Sequence, residues 1–158
     1  LKARVGLGYD IHRLVRGRRL YLGGVELDFP KGCLAHSDGD CLIHAVIDAL
    51  LGALGEGDIG RLFPDTDPRT EGVRSTELLK AVVLRLKERG ASIVNIDAVI
   101  IAQAPNLAPD LERIRGSLAG LLGLAVEDVG LQAKTNEGLG PVGRGRAIAC
   151  WAAALVNG

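Results

Sequence analysis

The sequence predicts a single α+β domain over residues 1–158, and three observations carry that expectation. The chain has 158 residues, a length that suits one core burying roughly 68–70% of the surface its unfolded form exposes. Two hydrophobic periods are present: alternation at Arg4–His12, which makes a strand, and helical spacing at Ser75–Arg89, which makes an amphipathic helix. Strand and helix signals follow one another with no internal repeat and no long low-complexity segment.

Each element has its own signal. In Arg4–His12, Val5, Leu7, Tyr9 and Ile11 share one face, and Gly6, Gly8, Asp10 and His12 share the other. Leu20–Leu27 reads as a hairpin, because Gly23-Gly24 supplies the positive φ angles of a tight turn. Pro30-Lys31-Gly32 reads as a loop. A helix is expected from about Asp38 to Leu54, with Ser37-x-x-Asp40 as a capping-box-like start and Gly55 as its stop. Gly57–Thr70 is a loop, and Gly90 ends the Ser75–Arg89 helix. Ile93–Ala102 is an apolar strand, and Pro109 opens a third helix reaching about Leu122. Val129–Thr135 is a strand that leads into a glycine-rich turn at Gly138–Gly145. Ala147–Val156 fits a helix by its alanines and a buried strand by its length and preceding glycines.

Composition removes several functional classes. Lys and Arg number 19 against 19 Asp and Glu, so no global charge attracts nucleic acid or an anionic membrane. No apolar run reaches the ~20 residues of a bilayer span, and the first residues lack the apolar core of a signal peptide. Three cysteines without a C-x-x-C pair point to a reducing, cytoplasmic compartment and argue against a four-cysteine zinc module.

The chemistry gathers in three places. His12, His36 and His44 all fall in the first third of the chain. Asp10-x-His12 puts a carboxylate and an imidazole on one strand face, and His44 adds a second imidazole from a helix. One Asp and two His on rigid elements make a three-ligand zinc site with an open fourth position. Asp40 and Asp48 lie one helical turn either side of His44, placed to orient its free ring nitrogen. Taken alone, His44 reads as a core histidine hydrogen-bonded to Asp40 or Asp48, and only the constellation makes it a ligand. In the second place, Gly57–Gly60 and Phe63–Pro68, Asp65 and Asp67 serve as cation ligands, as ribose acceptors, or simply as Asx turns. In the third, Lys134-Thr135-Asn136-Glu137 before a glycine turn either holds a phosphate with its counter-ion or is an ordinary strand exit.

Read together, these segments resemble a known family. Gly8-Tyr9-Asp10-Ile11-His12, His36-Ser37-Asp38-Gly39-Asp40 with His44, Gly57-Asp58-Ile59-Gly60 and Phe63-Pro64-Asp65-Thr66-Asp67-Pro68 carry the likeness. So do Ile100-Ile101-Ala102-Gln103-Ala104-Pro105 and Gly143-Arg144-Gly145. In this order and spacing the chain is similar to the 2-C-methyl-D-erythritol 2,4-cyclodiphosphate synthases over essentially its whole length.

The resemblance implies a mixed four-stranded sheet with helices on one face, in which Ala147–Val156 is a strand. It implies a homotrimer, sheets around the three-fold axis and an active site at each subunit interface. The implied activity is that of a phosphorus–oxygen lyase of bacterial non-mevalonate isoprenoid biosynthesis. It cyclises 4-diphosphocytidyl-2-C-methyl-D-erythritol 2-phosphate and releases CMP. By position, Asp10, His12 and His44 would hold zinc, and Glu137 a second divalent ion, magnesium or manganese. His36 and Thr135 would stabilise the transition state. Ser37, Asp58, Ile59 and Gly60 would line the methylerythritol end, completed by Phe63, Pro64, Asp65, Thr66 and Asp67. The cytidine part would meet Ala102, Gln103, Ala104, Pro105, Asn106, Leu107 and Ala108, together with Lys134, Thr135 and Asn136. Pro141 and Arg144 would lie close to substrate, and Asp10, His12 and Glu137 would bind it as well as metal.

Three positions depart from the family pattern: Asn106 stands for Lys, Lys134 for Thr, and Arg146-Ala147 for Glu-Gly. Two other classes compete with the synthase reading. A trimer that binds a nucleotide or isoprenoid diphosphate without turnover has no use for an open three-ligand metal site. A zinc-dependent phosphoester hydrolase needs a water base beyond the acids already assigned.

Overall fold

The computed structural model describes residues 2–158. Its main sheet has five strands: β1 (Ala3–Arg16), β4 (Lys31–Cys33), β5 (Ser92–Ile101), β6 (Val129–Lys134) and β7 (Ala147–Asn157). They lie in the order β4-β1-β7-β5-β6, and only the β5–β6 pair is parallel. The fifth strand corrects the four-strand expectation. Lys31–Cys33, of which Lys31 and Gly32 read as loop in the sequence, pairs with Leu14–Arg16 at the sheet edge. Pro30 and Gly32 suppress the local strand signal, but an edge strand tolerates both. The hairpin β2 (Leu20–Leu22) and β3 (Val25–Leu27) forms as expected, with Gly23 and Gly24 both at positive φ.

Three long helices, α1 (Cys41–Leu54), α3 (Ser75–Glu88) and α4 (Leu111–Leu122), accompany the sheet, with single-turn helices α2 (Ile59–Leu62) and α5 (Gly140–Gly143). α1 packs across β1 and β7 and also touches α3, which in turn touches α4. Two starts differ from expectation. Asp40, not Ser37, caps α1 by accepting from the Ile43 N–H at 3.0 Å, so the capping box does not form. α4 begins after Asp110, with Pro109 in the turn before it. The ambiguous Ala147–Val156 is a strand. It pairs with β1 on one side and β5 on the other, so its backbone hydrogen-bonding groups are answered on both edges.

Strand alternation sorts the sheet's two faces. The even residues Ile96, Ala98, Ile100, Ile148, Cys150, Ala152, Ala154 and Val156 are buried in the core. On β1 the inward even positions are Gly6 and Gly8. A Cβ on Gly8 would lie 1.9 Å from the Ala45 carbonyl oxygen, and one on Gly6 would lie 1.7 Å from that of Ala49. Their bare backbones let α1 rest directly on the strand. Gly8→Ala is therefore expected to cost about 1–3 kcal/mol or more, since backbone and not a flexible side chain must move. Chemical denaturation checks this, and an unchanged midpoint would remove the close-packing argument.

The odd face carries Val5, Leu7, Tyr9, Ile11 and Trp151, each more than 40% exposed. Tyr9 and Trp151 stack across β1 and β7 with ring centroids 4.6 Å apart. All three cysteines are free and buried. No described helix is long and apolar enough to cross a membrane.

Candidate active site

Asp10 and His12 sit two apart on β1, so both side chains leave the sheet on the α1 side. His44 occupies the first turn of α1, where Asp40 anchors the helix start. The Asp40 carboxylate accepts from Gly23 N–H at 2.9 Å, Gly24 N–H at 2.7 Å and Ile43 N–H. Burial pushes the Asp40 carboxyl up, and those three N–H groups oppose the shift. The hairpin and the helix start are thereby held in one register, and Cys41 Sγ ties that start to β1 by donating to the Asp10 carbonyl at 3.3 Å.

That register brings three lone-pair atoms together. Asp10 Oδ2 lies 2.7 Å from His12 Nε2 and 3.2 Å from His44 Nδ1, and the two ring nitrogens are 3.0 Å apart. A tetrahedral ion with ~2.0–2.1 Å bonds separates its ligands by about 3.3 Å. Two imidazole nitrogens aimed at each other need a proton or a cation between them. The donor set, one carboxylate and two imidazoles, therefore fits a divalent cation of the zinc type. Burial opposes charge on both Asp10 and His44. Hydrogen bonds and charge from His12 and His44 outweigh it at Asp10 and lower its pKa, and the Asp10 carboxylate raises that of His44.

The triad forms one wall of a cleft of about 330 Å³, with His36, Ser37, Ile59, Gly60, Phe63 and Asp65 among its lining residues. Leu34, Ala35, Thr70 and Leu78 line it as well. Leu34 and Ala35 directly precede His36, whereas nothing in the sequence marks Thr70 or Leu78 for this cleft. The His36 ring approaches the Asp67 carbonyl at 3.3 Å. The Asp67 carboxylate instead caps Pro68–Thr70 and pairs with Arg69, which holds its pKa down. Asp58 caps α2. Pro64, Thr66 and Asp67 belong to the surrounding loop rather than to the cleft wall.

The expected partners of His44 are corrected. Asp40 is spent on the hairpin, and Asp48 accepts from the Ile59 N–H at 2.7 Å, pinning the start of α2. His44 Nε2 faces Ser75 Oγ at 2.8 Å and Ser37 Oγ at 3.1 Å instead. Ser75 lies 31 residues from His44, and only folding brings them together.

A second cluster forms beyond β5 and β6. The Ala102 N–H bonds the Lys134 carbonyl at 2.9 Å, and Gln103 accepts from the Gly138 N–H at 3.3 Å. Asn106 closes its own turn through the Ala108 N–H. Extended geometry stops at Lys134, and Glu137 adopts φ +52°. The turn still brings Thr135 Oγ1 to 3.4 Å from Glu137 Oε1. Pro141 and Arg144 follow at α5. β7 and β5 separate β1 from β6, which spaces Asp10 from this cluster by roughly three strand widths, about 14 Å. Within one chain the two clusters remain apart.

Residues 3–157 match the model of the YgbB family. The chain belongs to the YgbB family. A 2-C-methyl-D-erythritol 2,4-cyclodiphosphate synthase of Dechloromonas aromatica is 55% identical over 154 residues, covering 98% of this chain and 96% of that protein. The synthase of Treponema denticola is 52% identical over 153 residues, covering 97% and 95%. A solved synthase structure in its CDP-bound form superposes with a TM-score of 0.90 at 43% identity, covering 98% of this chain and 100% of that one.

Proposed function

We propose that this chain, as one domain, cyclises 4-diphosphocytidyl-2-C-methyl-D-erythritol 2-phosphate to 2-C-methyl-D-erythritol 2,4-cyclodiphosphate and releases CMP. The observation that carries the proposal is the Asp10, His12 and His44 donor set at the wall of a polar cleft, in a chain similar to such synthases from end to end. One 2-phosphate oxygen forms a bond to the β-phosphorus, the bond from that phosphorus to the CMP oxygen breaks, and CMP carries away the electron pair. No protein nucleophile is required. Bringing anions together is the difficulty, so the chain's own residues position and neutralise.

The roles follow from place. Ser37, Asp58, Ile59, Gly60 and the Phe63–Asp67 loop would hold the methylerythritol end. Ala102–Ala108 with Lys134–Asn136 would hold the cytidine part, with Pro141 and Arg144 nearby. His36 and Thr135 offer donors to developing phosphoryl charge. Zinc at the triad and magnesium or manganese at Glu137 would supply Lewis-acid neutralisation of the diphosphate.

A homotrimer completes the site. The apolar odd face of the sheet is of the kind that proteins cover, and a neighbouring copy would bring its Thr135–Glu137 cluster to this chain's triad. The deciding measurement is CMP release from the cytidylated substrate by the metal-loaded protein. Substrate binding without CMP would instead favour a binding trimer.

Thr135 and Glu137 separate positioning from cation binding. Thr135→Ala is expected to lower turnover ~10²–10³-fold, as for loss of one preorganised donor, with an unchanged metal requirement. Glu137→Gln is expected to raise the magnesium or manganese concentration for half-maximal rate, with partial rescue at high metal. A Glu137→Gln titration that overlays the parent would return Glu137 to a turn residue.

A further inference from the structure

We infer that Asp38 and Ser75 form a positioning relay that holds His44 with its proton on Nε2, leaving Nδ1 bare for a cation. The inference rests on the reading of Asp10, His12 and His44 as metal ligands, and it follows from counting protons.

The Asp38 carboxylate is almost fully buried, with its side chain 5% exposed. Its Oδ1 meets Ser75 Oγ at 2.5 Å and the Asp40 N–H at 3.1 Å. Its Oδ2 accepts from the Ser75 N–H at 3.0 Å and from Arg74 Nε at 3.1 Å. Four donors on an ionised carboxylate leave it acceptor-only. The Ser75 hydroxyl owns one proton, and the short contact to Asp38 commits that proton there. Ser75 Oγ therefore turns a lone pair toward His44 Nε2, 2.8 Å away. The ring nitrogen must supply the proton of that bond. Ser37 Oγ, 3.1 Å from the same nitrogen, accepts from the Gly39 N–H and completes the pocket around it.

The opposite tautomer would press two lone pairs together at a fully buried hydroxyl. Burial removes any water that could relieve the conflict, so the cost falls on the imidazole. With Nε2 protonated, Nδ1 presents its lone pair toward Asp10 and His12. A carboxylate behind the hydroxyl also raises the basicity of the ligating nitrogen, as outer partners of metal-bound histidines do.

The test uses the zinc-loaded full chain and two variants, Ser75→Ala and Asp38→Asn. Zinc affinity is read by chelator competition, and the His44 Nε2 proton is followed by nitrogen-15 NMR. Each variant is expected to weaken zinc binding ~10–100-fold. The Nε2 proton, slow to exchange in the parent, is expected to exchange fast in Ser75→Ala. The double variant should bind zinc no more weakly than the worse single variant, as members of one relay do. Asp38→Asn is isosteric, so it decides the matter if Ser75→Ala does not fold. A parent chain that holds zinc beside a folded variant of equal affinity overturns the relay alone. A parent chain that binds no zinc overturns the triad and the relay with it.

Discussion

His44→Ala is expected to abolish stoichiometric zinc and to lower CMP release by at least the ~10²–10³-fold that losing one preorganised electrostatic group costs. In the proposed site three ligands would hold the cation, and the other two, Asp10 and His12, lie two residues apart on a single strand. Without His44 the remaining pair lacks the third vertex of a closed set. The helix should persist, because Ala is a better helix former than His and the Asp40 cap is untouched. Elemental analysis and circular dichroism measure the two halves separately. Normal zinc content in a folded variant would remove His44 from the ligand set.

The members of the triad were legible because each carries a local signal, although only the Asp10–His12 spacing is itself local. Asp10-x-His12 needs only strand alternation, and His44 stands out as a polar residue inside an apolar helix. The helix boundaries near Gly55 and Gly90 were legible for the same reason, since a left-handed glycine acts on its own turn. What escaped the sequence was set by contacts across the chain. Asp40 and Asp48 look like partners of His44 on a helical wheel. Their carboxylates instead answer unpaired N–H groups of the hairpin and of α2, a demand that appears only after folding. Ser75 begins a helix and reads as a terminal residue. Its hydroxyl lies instead between Asp38 and His44, with no cue in its own neighbourhood. β4 was hidden because its partner, the end of β1, supplies the pairing that Pro30 and Gly32 fail to advertise.

Leu7→Asp is expected to convert the proposed trimer into monomers that keep zinc but release no CMP. Leu7 is 65% exposed at the middle of the apolar sheet face, among Val5, Tyr9 and Trp151. A carboxylate there would have to be buried without a partner on assembly, and three-fold symmetry would bury three of them. The side chain points away from α1, and the triad is built within one chain, so metal binding should survive. Turnover should not, because Thr135 and Glu137 lie about three strands from Asp10 in the same chain. Light scattering reads the mass, and an intact trimer with full activity would move the interface elsewhere. A second arm tests sharing of the site directly. Co-expressed His44→Ala and Thr135→Ala chains should regain activity that neither has alone, because with random 1:1 mixing about a quarter of all interfaces join an intact triad to an intact Thr135. If the mixture stays as inactive as its components, the triad and Thr135 do not meet across a subunit boundary.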